Sequence, residues 1–136
     1  MNALIPFDGS PESRRAVDLV ARMGFSAATV LGVGPAAEVR GGRLRRGRSA
    51  ARRTGYTSPD DLAQVAEQLT NAGVAAEWAD KSGNVTNTIV QTAAAGDFDA
   101  IVIGSLKRHA LVRILVGSTA ERVVRKAPVA FVVVVR

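Results

Sequence analysis

The 136-residue chain contains no cysteine, which excludes a disulfide framework, a thiolate metal site and a cysteine nucleophile. Histidine occurs once, at His109. No acid lies beside it, so no metal site is expected. A Ser105/His109/Asp8 hydrolytic triad lacks any nucleophile-elbow sequence around the serine. No glycine-lysine-serine/threonine triplet exists, which removes the phosphate loop of nucleoside triphosphatases. No apolar run approaches the roughly 18 residues of a membrane span. Met1-Asn2-Ala3-Leu4-Ile5-Pro6 enters a strand-like segment directly, with no charged n-region or cleavage site. A signal peptide is therefore not expected, and a cytoplasmic location is.

What is present is ordinary for a folded protein, with 47% hydrophobic and 22% charged residues. The length suits one domain over 1–136 with one sizeable core. The net charge of +6 resembles that of a nucleic-acid binder until it is located. Arg40, Arg43, Arg45, Arg46, Arg48, Arg52 and Arg53 place seven arginines in fourteen residues without an acid. Subtracting those seven from +6 leaves −1 for the remainder. This segment, 40–53, is the one break in composition and reads as a solvated loop. Its functional alternative is electrostatic contact with an acidic protein or a nucleic acid. It holds no aromatic residue for base stacking, and its glycines and lack of apolar periodicity oppose an amphipathic membrane helix.

Strand-like and helix-like segments alternate. Leu4 to Phe7 is a short apolar run, and Ser10-Pro11-Glu12-Ser13 then supplies an N-cap, a first-turn proline and a first-turn acid. Ala16, Val17, Leu19, Val20 and Met23 follow at helical spacing, with Gly24 at the C-cap. Ala27 to Val33 reads as a strand. Ser58-Pro59-Asp60-Asp61 repeats the helix start, Leu62, Val65, Ala66, Leu69 and Ala72 give the apolar face, and Gly73 stops it. Val74 to Trp78 is a third strand, and Val85, Ile89, Val90 and Ala93 mark a helix ending near Gly96. Asp99 to Ile103 is a fourth strand. Ser118-Thr119-Ala120-Glu121 matches a capping box that opens a helix running to Pro128, and Val129 to Val135 is a last apolar strand. Alternation with unbroken apolar strands predicts a parallel sheet covered on both faces.

In such a sheet, ligands sit outside the carboxyl ends of the strands, where strand order reverses. Those ends carry Asp8-Gly9, Val33-Gly34 and Gly104-Ser105. Gly104 at a strand end and Gly117-Ser118 at a helix start offer backbone N–H groups that can converge on an anion. Gly32-Val33-Gly34-Pro35-Ala36-Ala37 superficially fits a dinucleotide fingerprint, but no helix opens there and no acid follows about 20 residues on.

These residues resemble the universal stress protein family. The resemblance is carried by Pro6-Phe7-Asp8-Gly9-Ser10, by Asp99 to Ser105 followed by Gly117 to Val123, and by the Pro128 to Val135 ending. It covers the chain outside the arginine segment. It implies a three-layer α/β/α sandwich of the adenine nucleotide alpha hydrolase-like type, with a five-stranded parallel sheet of order 3-2-1-4-5. In nucleotide-binding members a glycine, two residues, a glycine, nine residues, then glycine and serine or threonine hold the phosphates. Gly104, Gly117 and Ser118 match at the right spacing, whereas Lys107 stands where the second glycine would be. Lysine there adds a Cβ that opposes positive φ, at about 1–2 kcal/mol. Its ammonium supplies charge worth about 1.5–3 kcal/mol per hydrogen bond. The implied nucleotide set is Pro6, Asp8, Val33, Ile103, Gly104, Lys107, Gly117, Ser118 and Thr119, with Asp8 and Val33 on the adenosine side and Arg108 as a screening charge.

The resemblance also implies a homodimer. A long apolar strand at the sheet edge is an aggregation hazard unless paired, and 129–135 would be paired by its copy in a second subunit. Two readings stay open. One is a cytoplasmic homodimeric stress-response regulator binding ATP, with magnesium, or another adenine nucleotide. The other is a nucleotide-free dimeric interaction module acting through 40–53. A slow phosphoryl-transfer enzyme ranks last, because no residue is an evident general base.

Overall fold

The computed structural model describes residues 1–34, 57–105 and 118–136. Five strands appear: β1 (Asn2–Pro6), β2 (Ala27–Gly34), β3 (Ala75–Ser82), β4 (Ala100–Gly104) and β5 (Phe131–Val135). Four helices are described: α1 (Pro11–Met23), α2 (Pro59–Asn71), α3 (Val85–Ala95) and α4 (Ser118–Lys126). The sheet is entirely parallel with order β3-β2-β1-β4-β5.

Strand pleating divides the core into two layers, because alternate side chains face opposite sides. On one side Ala3, Ile5, Phe7, Ala28, Val30, Ala100 and Val102 meet Ala16, Val17 and Val20 of α1 and Leu62, Val65 and Leu69 of α2. On the other, Leu4, Leu31, Ile101 and Ile103 meet Ile89 and Ala93 of α3 and Ala120 and Val123 of α4. The result is the expected α/β/α sandwich. Continuous apolar strands follow from this, since both faces are dry.

The helix starts are local chemistry. Ser10 caps α1 by accepting from the Ser13 N–H at 3.1 Å, with Pro11 in the first turn and Gly24 at φ 79° closing the helix. Ser58 caps α2 in a reciprocal capping box with Asp61. Asn84 caps α3 by accepting from Asn87 N–H at 3.0 Å.

Three sequence expectations need correction. Strand β3 runs on to Ser82, through Asp80 and Lys81, because it is an edge strand with only β2 to satisfy. Ala72 is exposed and ends α2 instead of joining its apolar face. The last strand spans Phe131–Val135, not 129–135. Its ladder partner β4 begins at Ala100, and the Asp99 carbonyl accepts from both Ala130 and Phe131 N–H, which leaves Val129 and Ala130 outside the strand. The capping box expected at Ser118 falls on a side chain outside the described residues. The Glu121 carboxylate accepts from Arg125 at 2.8 Å, one turn on. Both partners of this pair are well exposed, 74% and 49%. Glu121→Ala is therefore expected to shift stability by no more than about 0.5 kcal/mol in urea unfolding.

Candidate functional site

The order β3-β2-β1-β4-β5 reverses direction between β1 and β4, so a switch-point crevice opens outside their carboxyl ends. Asp8 follows β1 there and is half-buried. Its Oδ1 accepts from the Ser10 N–H at 2.9 Å, a local turn that holds Gly9 at φ 81° and presents Ser10 to α1 as its cap. Asp8 thus has a structural task at the entrance of α1, and its carboxylate stays at the crevice edge while performing it.

From the other side, Gly104 at the end of β4 packs directly on the same helix start. A Cβ at Gly104 would lie 2.7 Å from both the Glu12 carbonyl carbon and the Ser13 nitrogen. Real Cβ atoms essentially never approach backbone so closely, so any side chain here forces α1 or β4 to shift. Positive φ is not the reason, for the positive-φ glycines among the described residues are Gly9, Gly24, Gly73 and Gly83. The first turn of α1 is therefore where the ends of β1 and β4 meet.

Ser105 comes next and is 1% exposed. Its N–H donates to the Val135 carbonyl at 2.7 Å, extending the β4–β5 ladder by one step. Its hydroxyl has no hydrogen-bond partner. Thr57, a residue that sequence reasoning passed over, is also buried beside the end of β1. Its hydroxyl donates to the Phe7 carbonyl over a long 3.5 Å. It was findable, because it immediately precedes the Ser58 cap, and every described helix starts at the carboxyl edge of the sheet.

The remaining sequence candidates fall as follows. Pro6 is the last residue of β1. Val33 and Ile103 lie on the α3/α4 side of the sheet, in or against the same apolar cluster. Thr119 is half-buried in the first turn of α4, and Ser118 is the first helical residue. Lys107, Arg108, His109, Gly117 and the arginine segment 40–53 lie outside the described residues, as does the side chain of Ser118. The structure thus brings Pro6, Asp8, Val33, Ile103, Gly104 and the start of α4 to one edge of the sheet. Beside Val33 in the β2–β3 register stands Lys81, whose Nζ donates to Thr92 Oγ1 of α3 at 3.0 Å and ties the sheet edge to that helix. Among the described residues no group of histidines, cysteines or carboxylates is placed to hold a metal ion. No described helix is long and apolar enough to cross a membrane.

Three helix N-termini, of α1, α3 and α4, thus point toward this edge, each with first-turn N–H groups that the helix itself leaves unpaired. Their combined dipoles favour an anion. The universal stress protein family is matched over residues 1–136. The chain belongs to that family. No curated protein matches it. Among solved structures, this family member is similar to the universal stress protein UspA from Lactobacillus plantarum, at 23% identity and TM-score 0.70, covering 100% of this chain and 97% of that one. It is also similar to a universal stress protein from Archaeoglobus fulgidus in complex with dAMP, at 21% identity and TM-score 0.65, covering 100% and 98%. A universal stress protein in complex with cAMP matches at 18% identity and TM-score 0.70, covering 100% and 96%. At these identities the likeness establishes the fold of this universal stress protein and leaves its ligand to be argued from its own residues.

Proposed function

We propose that this universal stress protein binds an adenine nucleotide, ATP with magnesium in the first instance, in the crevice outside β1 and β4. On this reading it works as a cytoplasmic, homodimeric stress-response regulator. The observation that carries the proposal is the meeting of Asp8 and Gly104 on the first turn of α1. It sets a carboxylate for ribose hydroxyls next to the end of β4 and a helix start suited to phosphate. The residues fit the ligand's chemistry. Asp8 has acceptor capacity beyond the Oδ1 bond to Ser10; on this reading Val33 contacts the adenine, and Gly104, Thr119 and the first turn of α4 take the phosphates. The complexes of related proteins with dAMP and cAMP support an adenine ligand.

None of these groups is a general base positioned on a water or hydroxyl, so binding, not turnover, is the proposed task, with at most slow ATP hydrolysis. Pairing of β5 across a two-fold axis is proposed for the dimer. The support is that β5, four valines and a phenylalanine, is an edge strand that among the described residues is bonded on one side only, to β4. The specific feature favouring the second reading is Lys107 in place of the motif glycine. A protein with a closed crevice would act through segment 40–53 on an acidic protein or nucleic acid.

Calorimetric titration of ATP with magnesium decides between them. Asp8→Asn is the informative variant, because the amide keeps an Oδ1 acceptor for the Ser10 N–H and removes the charge. The expected result is micromolar binding to the wild type and about ten- to a hundredfold weaker binding to Asp8→Asn, with an unchanged melting temperature. Absence of binding at millimolar ATP would eliminate the nucleotide reading.

A further inference from the structure

Strand β3 is an edge of eight residues, and among the described residues only β2 bonds to it. Trp78, the one tryptophan of the chain, stands near its middle and is 43% exposed. The direction of the free backbone groups follows from the strand's two ends. Ala75 N–H donates to the Ser26 carbonyl at 3.0 Å, and Gly83 N–H donates to the Gly34 carbonyl at 3.1 Å, both toward β2. Backbone groups alternate sides along a strand. Glu77, Ala79 and Lys81 therefore bond inward, while Ala76, Trp78, Asp80 and Ser82 turn N–H and C=O outward. Side chains alternate between faces as well. Ala76 packs on the α1/α2 layer and Ala79 on the α3/α4 layer, so Glu77, Ala79 and Lys81 share the α3/α4 face.

Charges on an edge strand ordinarily keep a second strand away. Here their order suits one partner, the same strand in a second copy. In an antiparallel pair only outward groups can bond, so the two-fold axis must pass through a residue. An axis at Glu77 or at Asp80 sets two carboxylates face to face. An axis at Trp78 leaves Glu77 and Lys81 opposite alanines. An axis at Ala79 sets each Glu77 against the other copy's Lys81. In that register Trp78 exchanges both backbone bonds with Asp80 of the second copy, and Ala76 does so with Ser82. The charged pairs then occupy non-hydrogen-bonded positions, where facing Cα atoms are about 4.5 Å apart and side chains come closest. The two Trp78 rings become diagonal neighbours within reach of each other. Lys81 is already held on the required face, where its Nζ donates to Thr92 Oγ1 at 3.0 Å with donors to spare.

We propose that β3 is a self-association edge, pairing antiparallel with β3 of a second copy about Ala79. The contact lies on the opposite edge of the sheet from β5 and owes nothing to the nucleotide reading. Where β5 pairs too, it joins dimers into longer continuous sheets.

The test follows the emission of Trp78 and sedimentation velocity together as protein concentration rises. In the wild type the emission should move to shorter wavelength as the assembly forms, because the indole leaves water. Glu77→Lys should raise the dissociation constant for this step about tenfold, and the swap Glu77→Lys/Lys81→Glu should restore it. The chain has no cysteine of its own, so Ala79→Cys should oxidise to a disulfide-linked pair, its Cα spacing being in the disulfide range. Ala75→Cys, far from its copy in this register, should not. An emission that stays constant while the protein associates, or no association at all, overturns the proposal. So does a charge swap that behaves like Glu77→Lys alone, or an Ala75→Cys that cross-links as readily as Ala79→Cys.

Discussion

Gly104→Ala is expected to cost about 2–3 kcal/mol of stability, and more than that in function. The added Cβ would lie 2.7 Å from the carbonyl carbon of Glu12 and the nitrogen of Ser13. These are main-chain atoms of a capped helix, fixed by the Ser10–Ser13 bonds, so they cannot rotate aside as a side chain would. Relief requires α1 to move off the sheet, or β4 to move away from α1. The first opens the core formed by Ala16, Val17 and Val20. The second strains the bond between Ser105 and Val135. Overpacking of this kind costs about 1–3 kcal/mol, and the rigid neighbours place it at the upper end. At this chain length the melting temperature should fall by roughly 10 °C. Gly32 is the internal comparison. A Cβ there would come within 2.7 Å of Leu62 Cδ1, the far end of a side chain, so Gly32→Ala should be the milder change. Urea unfolding of both variants checks the order; a Gly104→Ala protein as stable as wild type would show that α1 and β4 are not pressed together as described.

The same substitution separates two explanations that coincide in the sequence. A glycine ending a strand at a motif spacing reads as bare backbone for phosphate, and it was so read. Its packing against α1 depends on which element crosses the end of β4, a tertiary fact no local pattern contains. Ser105 reads in the sequence only as the residue after Gly104 and as a member of a rejected triad, for a related reason: a serine after a strand is unremarkable until it is known to be buried with its hydroxyl unpaired. What was legible was local. Ser10-Pro11 with Gly24, and Ser58 with Asp61, announce helix ends because caps are satisfied by residues three or four apart. The parallel sandwich followed from unbroken apolar strands alternating with amphipathic helices. What was less legible was longer-range. Strand β3 continues through Asp80 and Lys81 because an edge strand need not be apolar. Strand β5 begins at Phe131 because its partner begins at Ala100.

Ile101→Ala carries the other large expected effect, about 3–4 kcal/mol in urea unfolding. Ile101 is fully buried in central strand β4, on the face covered by α3 and α4. That face is the less hydrocarbon-rich of the two. Helix α3 contributes Ile89 and Ala93, while its other buried positions are Thr86, Thr88 and Thr92; α4 contributes Ala120 and Val123. Small and hydroxyl-bearing neighbours cannot collapse into the space an isoleucine leaves, so most of the cavity cost should be felt. The consequence reaches the crevice through α4. That helix is nine residues long, too short to be stable alone. It keeps its first turn over the end of β4 by packing Ala120 and Val123 against this cluster. Loosening the cluster should therefore weaken ATP binding, even at temperatures where the variant remains folded. Val17→Ala, on the opposite face, should lose stability without that second effect, because α1 is held at the crevice by Ser10, Asp8 and Gly104. Equal effects of the two variants on ATP binding would mean that α4 does not set the phosphate end of the site.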